Sequence, residues 1–390
     1  MKLSIDLASE LTASAVLMLP PDADALDEII EWRRAFKGLY FDSTDSRLIN
    51  FKSLYSLVND VYSDFAEPVE ARIFSRENTI LKSSNACLYD SSTGIILSES
   101  AVSRMPRHQR FPTANQFHIQ LGTPISTLDW IETALVIPKI SASSEGILIP
   151  ELMARLWPFV VEHNLFTLQG VPVILQQNIQ DSIKRTLFAL LRKHGMFPLF
   201  CHHLPPYTLI KKAIIPLPSM QFLSNMSLLY FETCSNFLRA HSEIQQNSSV
   251  ADTFGEYVFV FDKNATICES LEFNDLTDTL EKDGWSIVEI TNLCFEERIS
   301  LYENAKFMAG FDNSFWLELS FLSKNILLPS NLIVGGIPNL DVMFTFAGMN
   351  ISGQWIKLFS SLDGSRNSPW LTNGKDTAKV IIDSVNFGQK

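Results

Sequence analysis

From about residue 130 onward the chain alternates short apolar runs with amphipathic ones, and no other feature restricts its fold so tightly. ALVIP and VPVILQQ read as strands on either side of the amphipathic ELMARLWPFVVEHN. The helix DSIKRTLFALLRKHG, closed by Gly195, leads on to the strand-like FPLFC and IKKAIIPLP. After a longer helical passage, SMQFLSNMSLLYFETCSNFLRAHSEI, and a polar, breaker-rich stretch near residues 245 to 254, a second alternating series begins. It runs EYVFVF strand, LEFNDLTDTLEKDG helix, WSIVEI strand, CFEERISLYENA helix, KFMAG strand, NSFWLELSFL helix and NILLP strand. Strands separated by helices pair in parallel, because parallel neighbours cannot be joined by a tight turn. The expected class is therefore α/β, with two Rossmann-like domains as its simplest architecture.

Upstream the rhythm differs. DALDEIIEWRRAFKGLY and SRLINFKSLYSLVNDVY carry helical spacing, whereas ARIFSRENTILKSSNACLYDSSTGIILSES breaks into short apolar runs that suggest β-hairpins. The expected organisation is an N-terminal helical segment over 1–70, a Rossmann-like domain with β-hairpins over 71–245, a second Rossmann-like domain over 255–375 and a C-terminal helix or tail over 376–390.

Several functions are disfavoured by composition. A formal charge of −12 argues against a nucleic-acid partner, because phosphate-backbone affinity depends on gathered Lys and Arg. Local basic clusters at Arg104, Arg107, His108 and Arg110, and at Lys211 with Lys212, read first as solvated surface charge. Cys87, Cys201, Cys234, Cys268 and Cys294 are scattered and lack metal-ligand spacing, as expected of reduced thiols in a cytoplasm. The N-terminus fits neither a secretory signal nor a membrane span, so no transmembrane segment is expected. P-loop, GxGxxG and GxSxG motifs are all missing. His202 and His203 are adjacent and point apart on any regular element, and Asp22 with Asp24 reads as a capping loop, so neither pair is expected to bind metal.

In open α/β sheets ligands bind beyond the carboxyl ends of the strands. For the second series that edge holds Asp262 and Lys263, then Thr291 and Asn292, then the loop Gly310, Phe311, Asp312, Asn313 and Ser314. Gly310 would let backbone approach a ligand, Asn313 and Ser314 offer hydrogen bonds, and a helix N-terminus after them favours a phosphate. Glu318, about one turn further, could accept bonds from ribose hydroxyls. The plainer alternative makes residues 312–314 an ordinary N-cap, Glu318 an exposed helix residue and Lys263 a solvated turn lysine.

Four passages, spread from about residue 75 to 350, resemble glycosyltransferase family 61, a group that includes bacterial capsular polysaccharide biosynthesis proteins. They are ACLYDSSTGIILSES, ELMARLWPF, EYVFVFDKNATICESLEFNDLTDTLEKDGWSIVEI and CFEERISLYENAKFMAGFDNSFWLELSF. Arg155 and Leu156 match the second, and Asn274 and Leu276 the third. Asp312, Asn313 and Ser314 stand where the family has His-Gly-Ala, Glu318 where it has Asn, Asp262 and Lys263 where it has Arg, and Ile147 where it has His.

The resemblance implies a GT-B type fold, two Rossmann-like domains facing a cleft, that moves sugar from a nucleotide-sugar donor to a glycan or glycolipid acceptor. It implies no cofactor and no metal. Glu151 takes the position of a general base and Arg155 lies on the acceptor side, although Glu151 also reads as a carboxylate at a helix N-terminus. Lys263, Asn292, Gly310, Asp312, Asn313, Ser314 and Glu318 form the donor set. The expected location is cytoplasmic, or peripheral at the inner membrane face, with a homo-oligomer or a second glycosyltransferase as candidate partners. The alternative function is a catalytically silent relative acting as a binding or scaffold subunit.

Overall fold

The computed structural model describes residues 48–50, 73–84, 86–97, 119–138, 145–160, 170–175, 179–217, 219–221, 225–226, 228–244, 254–263, 271–311, 314–322, 331–335, 353–356 and 373–387. The class is α/β. The chain divides into two compact units, the first built mainly from residues 67–245 and the second mainly from 246–390.

In chain order the first strand, β1 (Leu48–Asn50), joins the sheet of the second unit. SRLINFKSLY carries helical spacing, yet its Leu-Ile-Asn segment is extended, because an open sheet edge offers backbone partners that outweigh a weak local preference. The rest of the two expected N-terminal helices lies outside the described residues.

The first unit contains β2 (Ile73–Lys82), β3 (Cys87–Asp90), β4 (Trp130–Val136), α1 (Glu145–Val160), β5 (Pro172–Leu175), α2 (Asp181–Lys193), β6 (Phe197–Phe200), β7 (Tyr207–Pro216), the short β8 (Met220–Gln221) and β9 (Asn225–Met226), and α3 (Leu228–Ile244). Its sheet runs β3-β2-β7-β4-β5-β6. β7, β4, β5 and β6 are parallel, and β2 and β3 add an antiparallel hairpin at one edge, so the sheet is mixed and not purely Rossmann-like. After β3 the chain turns back once more over Asp90–Gly94, where Tyr89 bridges Ile96 and the Asp90 carboxylate accepts bonds from the Ser92 and Thr93 amides and hydroxyls.

The second unit contains β10 (Tyr257–Phe261), α4 (Leu271–Lys282), β11 (Ser286–Glu289), α5 (Phe295–Asn304), β12 (Phe307–Phe311), β13 (Asn331–Gly335), β14 (Gly353–Ile356) and α6 (Gly374–Phe387). Among the described residues the next strand after β12 is Asn331–Gly335; NILLP, expected as a strand, lies outside them. The sheet order is β1-β14-β13-β12-β10-β11, parallel throughout except for β1. From β10 the chain steps outward to β11, then crosses back to β12 and continues to β13 and β14. That reversal creates a topological switch point between β10 and β12.

α2 and α4 end on the same device. Gly195 and Gly284 adopt positive φ, and the next amides, Met196 and Trp285, donate back to Leu191 and Leu280 at 3.0 Å each. One face of the second sheet packs Phe259, Phe307 and Phe311 under α4 and α6, which contribute Phe273, Leu276, Leu280, Ala378, Ile381 and Val385. Each such side chain contributes about 1.5–3 kcal/mol when fully buried, so α6 is an integral layer of this unit.

Candidate functional site

The parallel strands of the second unit present their carboxyl ends at one edge. At the switch point β10 runs out through half-buried Asp262 into exposed Lys263. Across from it β12 ends at Phe311. Its continuation, Asp312 and Asn313, lies outside the described residues, and Ser314 is placed by its backbone as the first residue of a 3-10 helix, Ser314–Phe321. The topology thus brings the strand ends that carry Lys263 and Phe311 to the reversal of the sheet.

The end of β11 adds a carboxylate that sequence reasoning passed over. Glu289 lies level with Phe261 of β10 and is braced by two neighbours. Thr291 Oγ1 donates to it at 3.2 Å and Asn292 Nδ2 at 2.9 Å. Asn292, expected to meet a donor directly, instead orients Glu289. A signal was available: WSIVEI is an apolar strand whose one acidic residue falls at its carboxyl end.

Gly310 serves the sheet. It is buried within β12 opposite Val260, and a Cβ there would stand 2.5 Å from the Val260 carbonyl oxygen, 2.7 Å from a Val260 methyl and 3.0 Å from the Trp316 ring. The missing side chain makes room for strand pairing and for Trp316, whose indole donates to the Phe311 carbonyl at 2.8 Å. Close backbone approach is required here, but by the protein's own atoms and not by a ligand.

Glu318 faces inward. Its side chain is 0% exposed, and both carboxylate oxygens are engaged by Arg298, Nε at 2.7 Å and Nη2 at 2.8 Å. Arg298 is equally buried, donates also to the Leu293 carbonyl and lies over the Phe315 ring at 4.9 Å. Tyr302 donates to the Phe315 carbonyl at 3.1 Å. Burial, then the Glu318 charge, pushes that phenol well above its ordinary range, with Arg298 opposing. The two charges sit on otherwise apolar surfaces, so each is buried only because the other is. The carboxylate expected at a ribose is thus a strut between α5 and the 3-10 helix.

In the first unit, Pro150 does not begin α1, which starts at Glu145. Glu151 is consequently inside the helix and 5% exposed, neither on a rim nor in a first turn. Arg155, one turn on, is also buried and donates to the Pro216 carbonyl at 2.7 Å. Burial pulls its pKa down to about 10 while Glu151 and Cys87 hold it up. Trp157 donates to the Leu217 carbonyl at 2.8 Å, and the Ser219 amide donates to the Ala154 carbonyl at 2.6 Å. These contacts rivet α1 to the end of β7.

At the carboxyl end of β6 the chain makes a 3-10 turn, Cys201–His203. Here His202 and His203 do not diverge: their ring centroids are 3.8 Å apart, and the Phe200 ring packs on His202 at 5.7 Å. The tight turn, unlike a helix or strand, lets adjacent side chains share one side. Beneath them, burial pushes the Cys201 thiol from 9.0 up to about 11. A thiol that keeps its proton in the fold while the unfolded chain has lost it leaves the folded state binding more protons. Its contribution to stability is therefore fully present below pH 9 and falls away between pH 9 and about 11. Urea unfolding at stepwise pH is expected to show this decline, with a slope of at most about 1.4 kcal/mol per pH unit from this thiol, flattened in Cys201→Ser.

Among the described residues no cluster of His, Cys, Asp and Glu is placed to hold a metal ion, and no helix is long and apolar enough to cross a membrane. No protein-family model matches the chain, and no curated protein does.

Proposed function

We propose that the second unit binds a nucleoside diphosphate-sugar and that the protein is a glycosyltransferase of the GT-B kind, acting on a glycan or glycolipid acceptor in surface polysaccharide biosynthesis at or near the cytoplasmic face of a membrane. The observation that carries this reading is the sheet order, whose switch point between β10 and β12 falls at the two loops already singled out by their residues. Lys263, beyond the end of β10, offsets diphosphate charge, and Asn313 and Ser314, which follow β12 in the sequence, supply hydrogen bonds. Glu289, one strand over, accepts bonds from a ribose, the role that the buried Glu318 is not placed to fill. In this scheme the leaving diphosphate is stabilised by fixed N–H groups and basic side chains.

A second reading is the catalytically silent relative. The burial of Glu151 favours it, since the base position implied by the family resemblance is not at a surface. Calorimetric titration of the full chain with UDP, GDP, ADP, CMP and their common sugar conjugates tests the two. Binding to one nucleotide class is expected, weakened about tenfold by Glu289→Gln and by Lys263→Ala, as befits loss of one hydrogen bond to a charged group. If the folded protein takes up none of them, the transferase reading fails and the scaffold reading stands.

A further inference from the structure

We infer that Lys184, His202 and His203 form a phosphate-binding site at the carboxyl edge of the first unit's parallel strands. The three groups come from two elements brought together by strand pairing. Phe200, last residue of β6, lies level with Leu175 of β5, and α2 starts six residues beyond that strand. Lys184, in the first turns of α2, places its ammonium 5.9 Å from the Phe200 ring centroid. His202 and His203 lie on the same aromatic support, both exposed. Phe188 of α2 closes the row against Phe200 at 5.9 Å.

The charge balance at this spot is opposite to that of the chain. Overall the protein carries −12, but here Lys184, Arg185 and two imidazoles face one carboxylate, Asp181. Lys184 reaches Asp181 at 2.9 Å, an exposed pair that stabilises little and is readily exchanged for a dianion. The other titratable neighbour is Cys201, which remains a protonated thiol. Partial desolvation, then the charges of His203 and Lys184, hold the His202 imidazole below its ordinary value. The neighbouring charges disfavour protonation of His202, and a bound anion offsets that penalty. A phosphate group supplies both the charge and enough acceptor oxygens for three donors at once.

Phosphate can arrive free, on a soluble ester or on a lipid headgroup. The site's residues all belong to the first unit, so the signals of its two histidines report on it separately from nucleotide binding in the second. Histidine side-chain NMR of the full chain, titrated with inorganic phosphate and diphosphate and separately with vesicles containing phosphatidic acid, identifies which source is used. The expected result is selective movement of the His202 and His203 signals, with the His202 pKa raised when phosphate is bound. Lys184→Ala and His202→Asn should each weaken binding by about tenfold, whereas Asp181→Asn should strengthen it. Sulfate, whose charge is constant between pH 8 and pH 6, should bind more tightly at pH 6, separating the imidazoles' titration from that of phosphate. Signals of His202 and His203 that stay still at millimolar phosphate and with vesicles would overturn the site, as would equal affinity in wild type and the Lys184→Ala variant. All three side chains are at least partly exposed, and circular dichroism of each variant checks that the fold is kept.

Discussion

Glu318→Ala is expected to destabilise the second unit by about 3–5 kcal/mol, the usual consequence of removing one partner from a buried ion pair. Each carboxylate oxygen accepts a bond from Arg298, and neither side chain reaches solvent. Without it the guanidinium keeps the Leu293 carbonyl and the Phe315 ring, but its positive charge is stranded in a low-dielectric interior. The lost energy should appear first as faster amide exchange across α5 and the 3-10 helix, the two elements the pair joins. Replacing both partners, Arg298→Met with Glu318→Leu, should recover most of the stability, because the desolvation cost disappears with the charges. Urea unfolding of the two single variants and the double variant provides the measurement. Equal stability of Glu318→Ala and wild type would mean that the pair is not closed as described. This result also separates structure from function: any loss of nucleotide binding in the single variant should be regained in the double variant if Glu318 only braces the turn.

The strut was legible in principle. Along α5 the residues Phe295, Arg298, Ile299 and Tyr302 recur at helical spacing, so Arg298 stands inside the apolar stripe. Glu318 interrupts FWLELSFL, a run otherwise without charge. Two opposite charges, each on an apolar face and separated by one strand, have no stable placement except against one another. Reading Glu318 alone, as a helix carboxylate one turn past a loop, hid that constraint. The helices α2 and α4 were readable because period and turn chemistry agree there, down to the closing glycines Gly195 and Gly284. What the sequence does not encode locally is which strand pairs with which. Nothing in EYVFVF or KFMAG says that β12 returns to the far side of β10, yet that choice makes the switch point. The close pair His202 and His203 was missed for a related reason, since a three-residue 3-10 turn leaves no periodic signal.

The same long-range packing makes Gly374→Ala the other change of large effect. Gly to Ala is ordinarily favourable in a helix, by about 1 kcal/mol in the interior and less at a first residue such as Gly374. Here the sign should reverse. A Cβ on Gly374 would overlap the Glu272 carbonyl oxygen and lie within 2.8 Å of its carbon and 2.9 Å of the Leu276 amide nitrogen. All three are backbone atoms of α4, so no rotamer change relieves the clash and α6 must lift away. Lifting it uncovers Ala378, Ile381 and Val385 together with the faces of Phe273, Leu276 and Leu280 that they cover. The expected loss is about 3 kcal/mol, at the upper end for an overpacked contact between fixed elements. Gly122→Ala is the control, because a Cβ at Gly122 meets nothing within 4 Å and should leave stability unchanged. Hydrogen exchange over residues 374–387 reports whether α6 is the part that loosens. Should Gly374→Ala melt with wild type and protect α6 equally, the two helices do not meet through this glycine.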